Sequence, residues 1–275
     1  MQRPVKNLSV RGMLTAFVKA SSVTCFLAVT PVITIGTNAT AREAKYGGQH
    51  IEAPATMATT AAPAAPAVVQ SAARLLEEEA NDLYQTMNLK KWGLSRKAFE
   101  YALKGYKHLL QAKKIRKDEV LTICDFSQSS RKKRFYIIDV ESKKMLINTW
   151  VAHGRNSGGE YARRFSNKPE SHQSSLGFYV TRNTYYGGHG LALKIEGLEK
   201  NINDLAHKRN IVIHGSHYVG ANYLRKCRIN GRSFGCPAVP AKDNAKVIQT
   251  IKGGSCLFIY HPSKNYIQNS KVLNG

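Results

Sequence analysis

Cys236 and His214 are the two residues of this chain best placed for covalent chemistry. The cysteine lies in the run Ser233-Phe234-Gly235-Cys236-Pro237-Ala238-Val239-Pro240, between a glycine that permits a sharp turn and a proline that ends regular structure. A sulfur at such a turn stands clear of any continuing strand or helix. His214 closes the β-branched run Ile211-Val212-Ile213 and is followed by Gly215, which reads as a buried strand carrying an imidazole at its end. A free thiol is only a few per cent ionised at neutral pH, so a working nucleophile needs a base or a positive charge beside it. A loop returning to the end of the His214 strand would supply the base. Ser233 offers a hydroxyl that could hold the sulfur or the imidazole. The backbone N–H groups of Gly235 and Cys236 are the expected donors for a tetrahedral oxyanion.

Pro240 reads as a first-turn residue of a helix carrying Ala245, Val247, Ile248 and Ile251 and closed by Gly253 and Gly254. That would leave Cys236 close to the positive end of a helix dipole, a second route to a thiolate. The rival nucleophile is Cys227, between Lys226 and Arg228, which has a cationic setting but neither the preceding glycine nor the following proline. Cys124 and Cys256 fall on apolar strand-like runs and read as buried hydrophobes. Among the histidines, His153 and His172 read as structural. His189, between Gly188 and Gly190, reads either as a ring lining a cleft or as a loop residue. No close-spaced ligand motif such as His-Glu-x-x-His occurs, so the chemistry is expected to need no metal and no cofactor.

The elements that must position these groups follow from periodicity. Apolar residues at helical spacing, first Ala73 to Met87 and then Ala98 to Leu110 behind an N-cap at Ser95, predict two helices in a bracing segment over residues 71–117. From residue 118 to 275 the period shortens. Strands are expected at 120–126, 134–140, 145–152, 178–181, 191–195, 211–214 and 256–260, with a hairpin turn at 141–144 and a long polar loop from Gly154 to Ser174. Many short strands with few helices among them predict a mainly β fold, a sandwich or barrel, with an N-terminal helical segment.

Ahead of these, Arg3, Lys6 and Arg11 precede an apolar run, and Ala39-Thr40-Ala41 has the small-x-small pattern of a cleavage site, so residues 1–41 read as a signal peptide or, uncleaved, an anchor touching the membrane through residues 13–35. Residues 42–70, rich in Ala, Pro and Thr, read as a semi-extended linker. The net charge of +23 implies attraction to polyanions, and export would exclude nucleic acid in favour of an anionic cell-wall polymer.

His214-Gly215 followed by Ser233-Phe234-Gly235-Cys236 resembles the signature of the L,D-transpeptidase catalytic domain (YkuD-like) family. Upstream, Ser174-Ser175-Leu176-Gly177-Phe178-Tyr179 resembles that family's Thr-Pro-x-Gly-x-Phe/Tyr segment, and Val151-Ala152-His153-Gly154 resembles its earlier strand. The resemblance implies an L,D-transpeptidase-like sandwich or barrel at the periplasmic face of the envelope. It implies a catalytic set of Cys236, His214 and Ser233, with Gly235, Gly215, His189 and Arg232 around the oxyanion and substrate. The implied reaction is attack by Cys236 on peptidoglycan stem peptides through a thioester, to form 3-3 cross-links. Water as acceptor would make the same site an L,D-carboxypeptidase, and an inert thiol would leave a non-catalytic wall-binding module. Many members follow the nucleophile with a hydrophobic residue and an arginine. Here the chain continues Pro-Ala-Val-Pro, a divergent branch in which Arg225, Arg228 or Arg232 is expected to stand in for the missing cation.

Overall fold

A computed structural model describes residues 67–275, so the leader or anchor expected at 1–41 and the linker as far as residue 66 lie outside the described residues. Helix α1 (Ala67–Thr86) begins directly after Pro66, inside the stretch read as linker to residue 70. After the last proline nothing forbids helical hydrogen bonding. Helix α2 (Leu89–Trp92) is one turn, ended by Gly93 at φ +82°. Helix α3 (Arg96–Gln111) starts at Ser95, whose hydroxyl accepts from the Ala98 N–H at 3.3 Å, the expected cap. Its buried stripe of Ala98, Phe99, Ala102, Leu103, Tyr106 and Leu109 belongs to the same apolar core as the strands that follow. The bracing segment is therefore continuous with the β domain and packs against it.

Eight strands follow: β1 (Lys117–Asp125), β2 (Phe135–Asp139), β3 (Lys144–Thr149), β4 (Gly177–Gly187), β5 (Gly190–Gly197), β6 (Val212–Ser216), β7 (Ala238–Pro240) and β8 (Ser255–Tyr260). They form one sheet in the order β3-β2-β1-β8-β4-β5-β6-β7, antiparallel except for the parallel pairs β1·β8 and β6·β7. The two edges meet: the chain leaving β3 bonds to β7 through the Ala152 N–H to the Ala238 carbonyl at 2.8 Å. A mainly β architecture results, an eight-stranded sheet curled into a near-barrel.

Helix α5 (Ala241–Ile251) covers β6, burying Val247, Ile248 and Ile251. Pro240 stands at its N-cap rather than in its first turn, because residues 238–240 are occupied as β7. Short helices α4 (Ala221–Leu224), α6 (Lys264–Asn269) and α7 (Lys271–Asn274) complete the described chain.

Close approach of α3 to the sheet is set by Gly105, where an added Cβ would come within 2.0 Å of the Phe178 ring, itself stacked on Phe258 at 4.2 Å. Gly105→Ala gains helix propensity of about 1 kcal/mol but must displace two interlocked aromatic rings. We expect net destabilisation of about 1–3 kcal/mol, read as a lowered urea midpoint with unchanged slope.

Candidate active site

The two segments that carry the chemistry are zipped side by side. Parallel pairing aligns His214 with Ala238 and Gly215 with Val239, which sets the turn before β7 beside the start of β6, where Cys236 Sγ meets the Val212 N–H; His214 stands mid-strand rather than at the expected strand end, because pairing with β7 carries β6 on to Ser216. Cys236 and His214 thereby line one groove of about 460 Å³, together with Ser233, Phe234, Arg232, Arg209, His189 and Tyr218. Cys227 lies in a separate groove with Tyr223 and Arg155, away from His214.

His214 is buried, and its Nδ1 lies 3.0 Å from the Gly215 carbonyl. A carbonyl can only accept, so Nδ1 carries the proton and Nε2 keeps its lone pair, the tautomer a general base requires. The group orienting this ring is the backbone of the next residue, which no side-chain pattern discloses. Burial lowers the pKa of His214, the Gly215 carbonyl opposes that, and His189 adds to the lowering. His189 sits on the β4–β5 turn with its ring stacked on His214, centroids 4.6 Å apart and planes at 20°.

Cys236 is partly exposed. Its Sγ accepts from the Val212 N–H at 3.4 Å and donates to the Asn210 carbonyl at 3.6 Å. Burial pushes the thiol pKa up, against the Val212 N–H, the charge of Arg209 and the residue's own N–H, which all pull it down. A raised thiol and a lowered imidazole are both neutral at rest, so the arrangement favours proton transfer to His214 during attack over a standing ion pair. No hydrogen bond joins the two side chains at rest.

The turn itself is held from three sides. The Ser233 N–H bonds the His153 carbonyl at 3.0 Å, the Arg155 N–H bonds the Ser233 carbonyl at 2.7 Å, and Ser174 Oγ donates to the Gly235 carbonyl at 3.1 Å while accepting from the Gly154 N–H. Gly235 has φ +124°, and a Cβ there would crowd the Gln173 carbonyl at 2.9 Å. Only glycine fits.

Several expectations are corrected here. The Ser233 hydroxyl reaches neither sulfur nor imidazole; it donates to the Cys236 carbonyl at 2.6 Å and accepts from the Gly235 N–H at 3.1 Å. A turn of three residues brings these groups together before any partner outside it can compete. That bond also occupies one of the two expected oxyanion donors, leaving the Cys236 N–H as the free one. The helix dipole is remote as well: β7 intervenes, and three strand residues span about 10 Å, beyond the reach of a terminal turn.

Nor is the site's cation any of the three arginines foreseen. Arg225 and Arg228 do not line the groove, and Arg232, which does, is exposed and directed at the Arg155 and Gly158 carbonyls. The charge felt by Cys236 is that of Arg209. Its guanidinium bonds the Ser166 and Gln173 carbonyls at 2.7 and 2.6 Å and the hydroxyls of Ser175 and Ser171. Arg209 lies in a polar turn ahead of β6 with no motif around it, so only the folded loop reveals its position. His153 is the structural histidine expected. It is fully buried, faces Arg134 at 2.7 Å, and is held by burial at a pKa of about 3. Among the described residues all four cysteines are free, with Cys124 and Cys256 buried.

Residues 90–260 match the family model of the L,D-transpeptidase catalytic domain. Similar solved structures include an L,D-transpeptidase from Mycobacterium smegmatis, at 10% identity and TM-score 0.33, covering 52% of this chain and 59% of that one. Mycobacterium tuberculosis L,D-transpeptidase 1 is similar at 9% identity and TM-score 0.29, covering 52% and 62% respectively. This chain thus spans about 59% of the first structure's length. No curated protein matches it.

If Arg209 supplies the charge that favours the thiolate, Arg209→Met shifts the pH profile of Cys236 alkylation. Loss of a positive charge raises the thiol pKa, so the profile moves to higher pH and the rate at neutral pH falls. Iodoacetamide labelling followed by peptide mass mapping, with Cys227 as internal control, reads both.

Proposed function

The chain belongs to the L,D-transpeptidase catalytic domain family, and from that premise we propose that it is an exported cysteine acyltransferase acting on peptidoglycan stem peptides in the cell envelope. The observation that supports this best is the one groove lined by both a partly exposed Cys236 and a His214 whose Nδ1 is already committed to the Gly215 carbonyl. A stem tetrapeptide seats with the carbonyl between diaminopimelate and the terminal D-alanine beside the sulfur. His214 Nε2 takes the thiol proton as the sulfur attacks, the carbon–sulfur bond forms, and the carbonyl electrons move onto oxygen. The Cys236 N–H receives that oxyanion, a contact worth about 3 kcal/mol of barrier when preorganised.

Collapse breaks the carbon–nitrogen bond. The imidazolium returns its proton to the departing amine, D-alanine leaves, and a thioester remains. An amine from a neighbouring stem then gives a 3-3 cross-link; water would give a trimmed tripeptide. The +23 net charge suits an acidic polymer as partner, and the expected leader at residues 1–41 would deliver the domain to it.

A carbapenem tests the nucleophile. Opening of its β-lactam by a thiol leaves the whole molecule attached, so the full-length protein gains one carbapenem mass. Cys236→Ala abolishes that adduct and Cys227→Ala retains it. An adduct that survives Cys236→Ala, or none on the wild type, overturns the assignment. Wall digests after overexpression, scored for 3-3 dimers against tripeptides, then separate amine from water as acceptor.

A further inference from the structure

We propose that His189 is a positioning residue for the base: its ring, laid flat on His214, holds the imidazole plane so that Nε2 faces the groove. The proposal rests on the acyl-transfer reading and adds a residue that the nucleophile–base pair alone does not require.

A hydrogen bond from Nδ1 to the Gly215 carbonyl selects the tautomer only while the ring stays in line with it, and that one bond does not stop the ring from rocking out of line. Rocking would carry Nε2 away from the sulfur. The second constraint comes from the neighbouring hairpin. Register pairs Ala192 of β5 with His214, and the small Ala192 side chain leaves room above the strand for a ring from the turn preceding it. His189 fills that space at 4.6 Å and 20°, an offset stack. The turn can deliver it because Gly188 and Gly190 flank it with no side chain, and Gly190 at φ +75° folds the chain sharply back. His189 itself is exposed, so its ring is not needed to fill the core.

The groups facing His214 are few. The groove wall presents Cys236, Tyr185, Tyr218, Arg209 and Arg232, and His217 borders the far side of the stack. From α5 the residues meeting this strand at Gly215 are Ala241 and Asn244, neither of which titrates. His189 adds to the lowering of the His214 pKa.

Imidazole nitrogen resonances of the isotope-labelled full-length protein, followed across the acid and neutral range, test this together with carbapenem acylation of Cys236. The wild type should show His214 as one tautomer, protonated at Nδ1. His189→Ala should mix the tautomers and slow acylation by about twofold to tenfold, the worth of one aromatic pair. His189→Phe keeps the stack and should restore the single tautomer and the rate, while His214 titrates at higher pH because the lowering effect of His189 is lost. An unchanged tautomer and rate in His189→Ala, or a loss that phenylalanine does not repair, overturns the proposal. A wild type that shows the single tautomer yet never acylates would instead refute the acyl-transfer reading.

Discussion

Everything at this site depends on three residue pairs between β6 and β7. His214 and Cys236 come from segments separated by a loop with its own helix, and neither reaches the other along any single element. Parallel pairing of His214 with Ala238, Gly215 with Val239 and Ser216 with Pro240 fixes their relation. A slip of one residue would turn the imidazole to the opposite face of the strand. So short a strand is weak alone, and its register is secured by the edge contact of Ala238 with Ala152 and by the helix that begins at Ala241. Barrel closure and site geometry are thus the same set of bonds.

Electrostatics at the groove divides labour between burial and a single cation. Burial favours the neutral form of both groups, raising the thiol and lowering the imidazole. Arg209 works in the other direction on the sulfur, while its four hydrogen bonds draw the loop containing Ser166, Ser171, Gln173 and Ser175 over the turn. The same side chain therefore shapes the groove wall and helps to lower the pKa of the Cys236 thiol.

Much of this was legible in the residues. The strand carrying His214, though not its end, the glycine–cysteine–proline turn, the Ser95 cap and seven of the eight strands follow from period and turn chemistry. What escaped has a common cause. The β7 strand is three residues long and bounded by prolines, so no periodicity can develop in it. Helix α5 consequently starts later than its apolar pattern suggests. The Gly215 carbonyl is invisible to any argument about side chains, and Arg209 acts across space from a turn with no signature. The Ser233 hydroxyl was assigned to a distant partner when local turn atoms were closer, a competition decided by chain proximity.

Strand order carries a final consequence for how the chain comes together. β8, residues 255–260, is the last of the eight strands in the chain yet sits mid-sheet, between β1 and β4. Until it emerges, the β1–β3 half and the β4–β7 half meet only through the bridges at Ala152 and Gly154, and β1 and β4 wait with open edges. The sheet can therefore be completed only once residues 255–260 are available. A polypeptide truncated ahead of residue 255 would lose the strand that joins β1 to β4, and with it the continuity of the sheet.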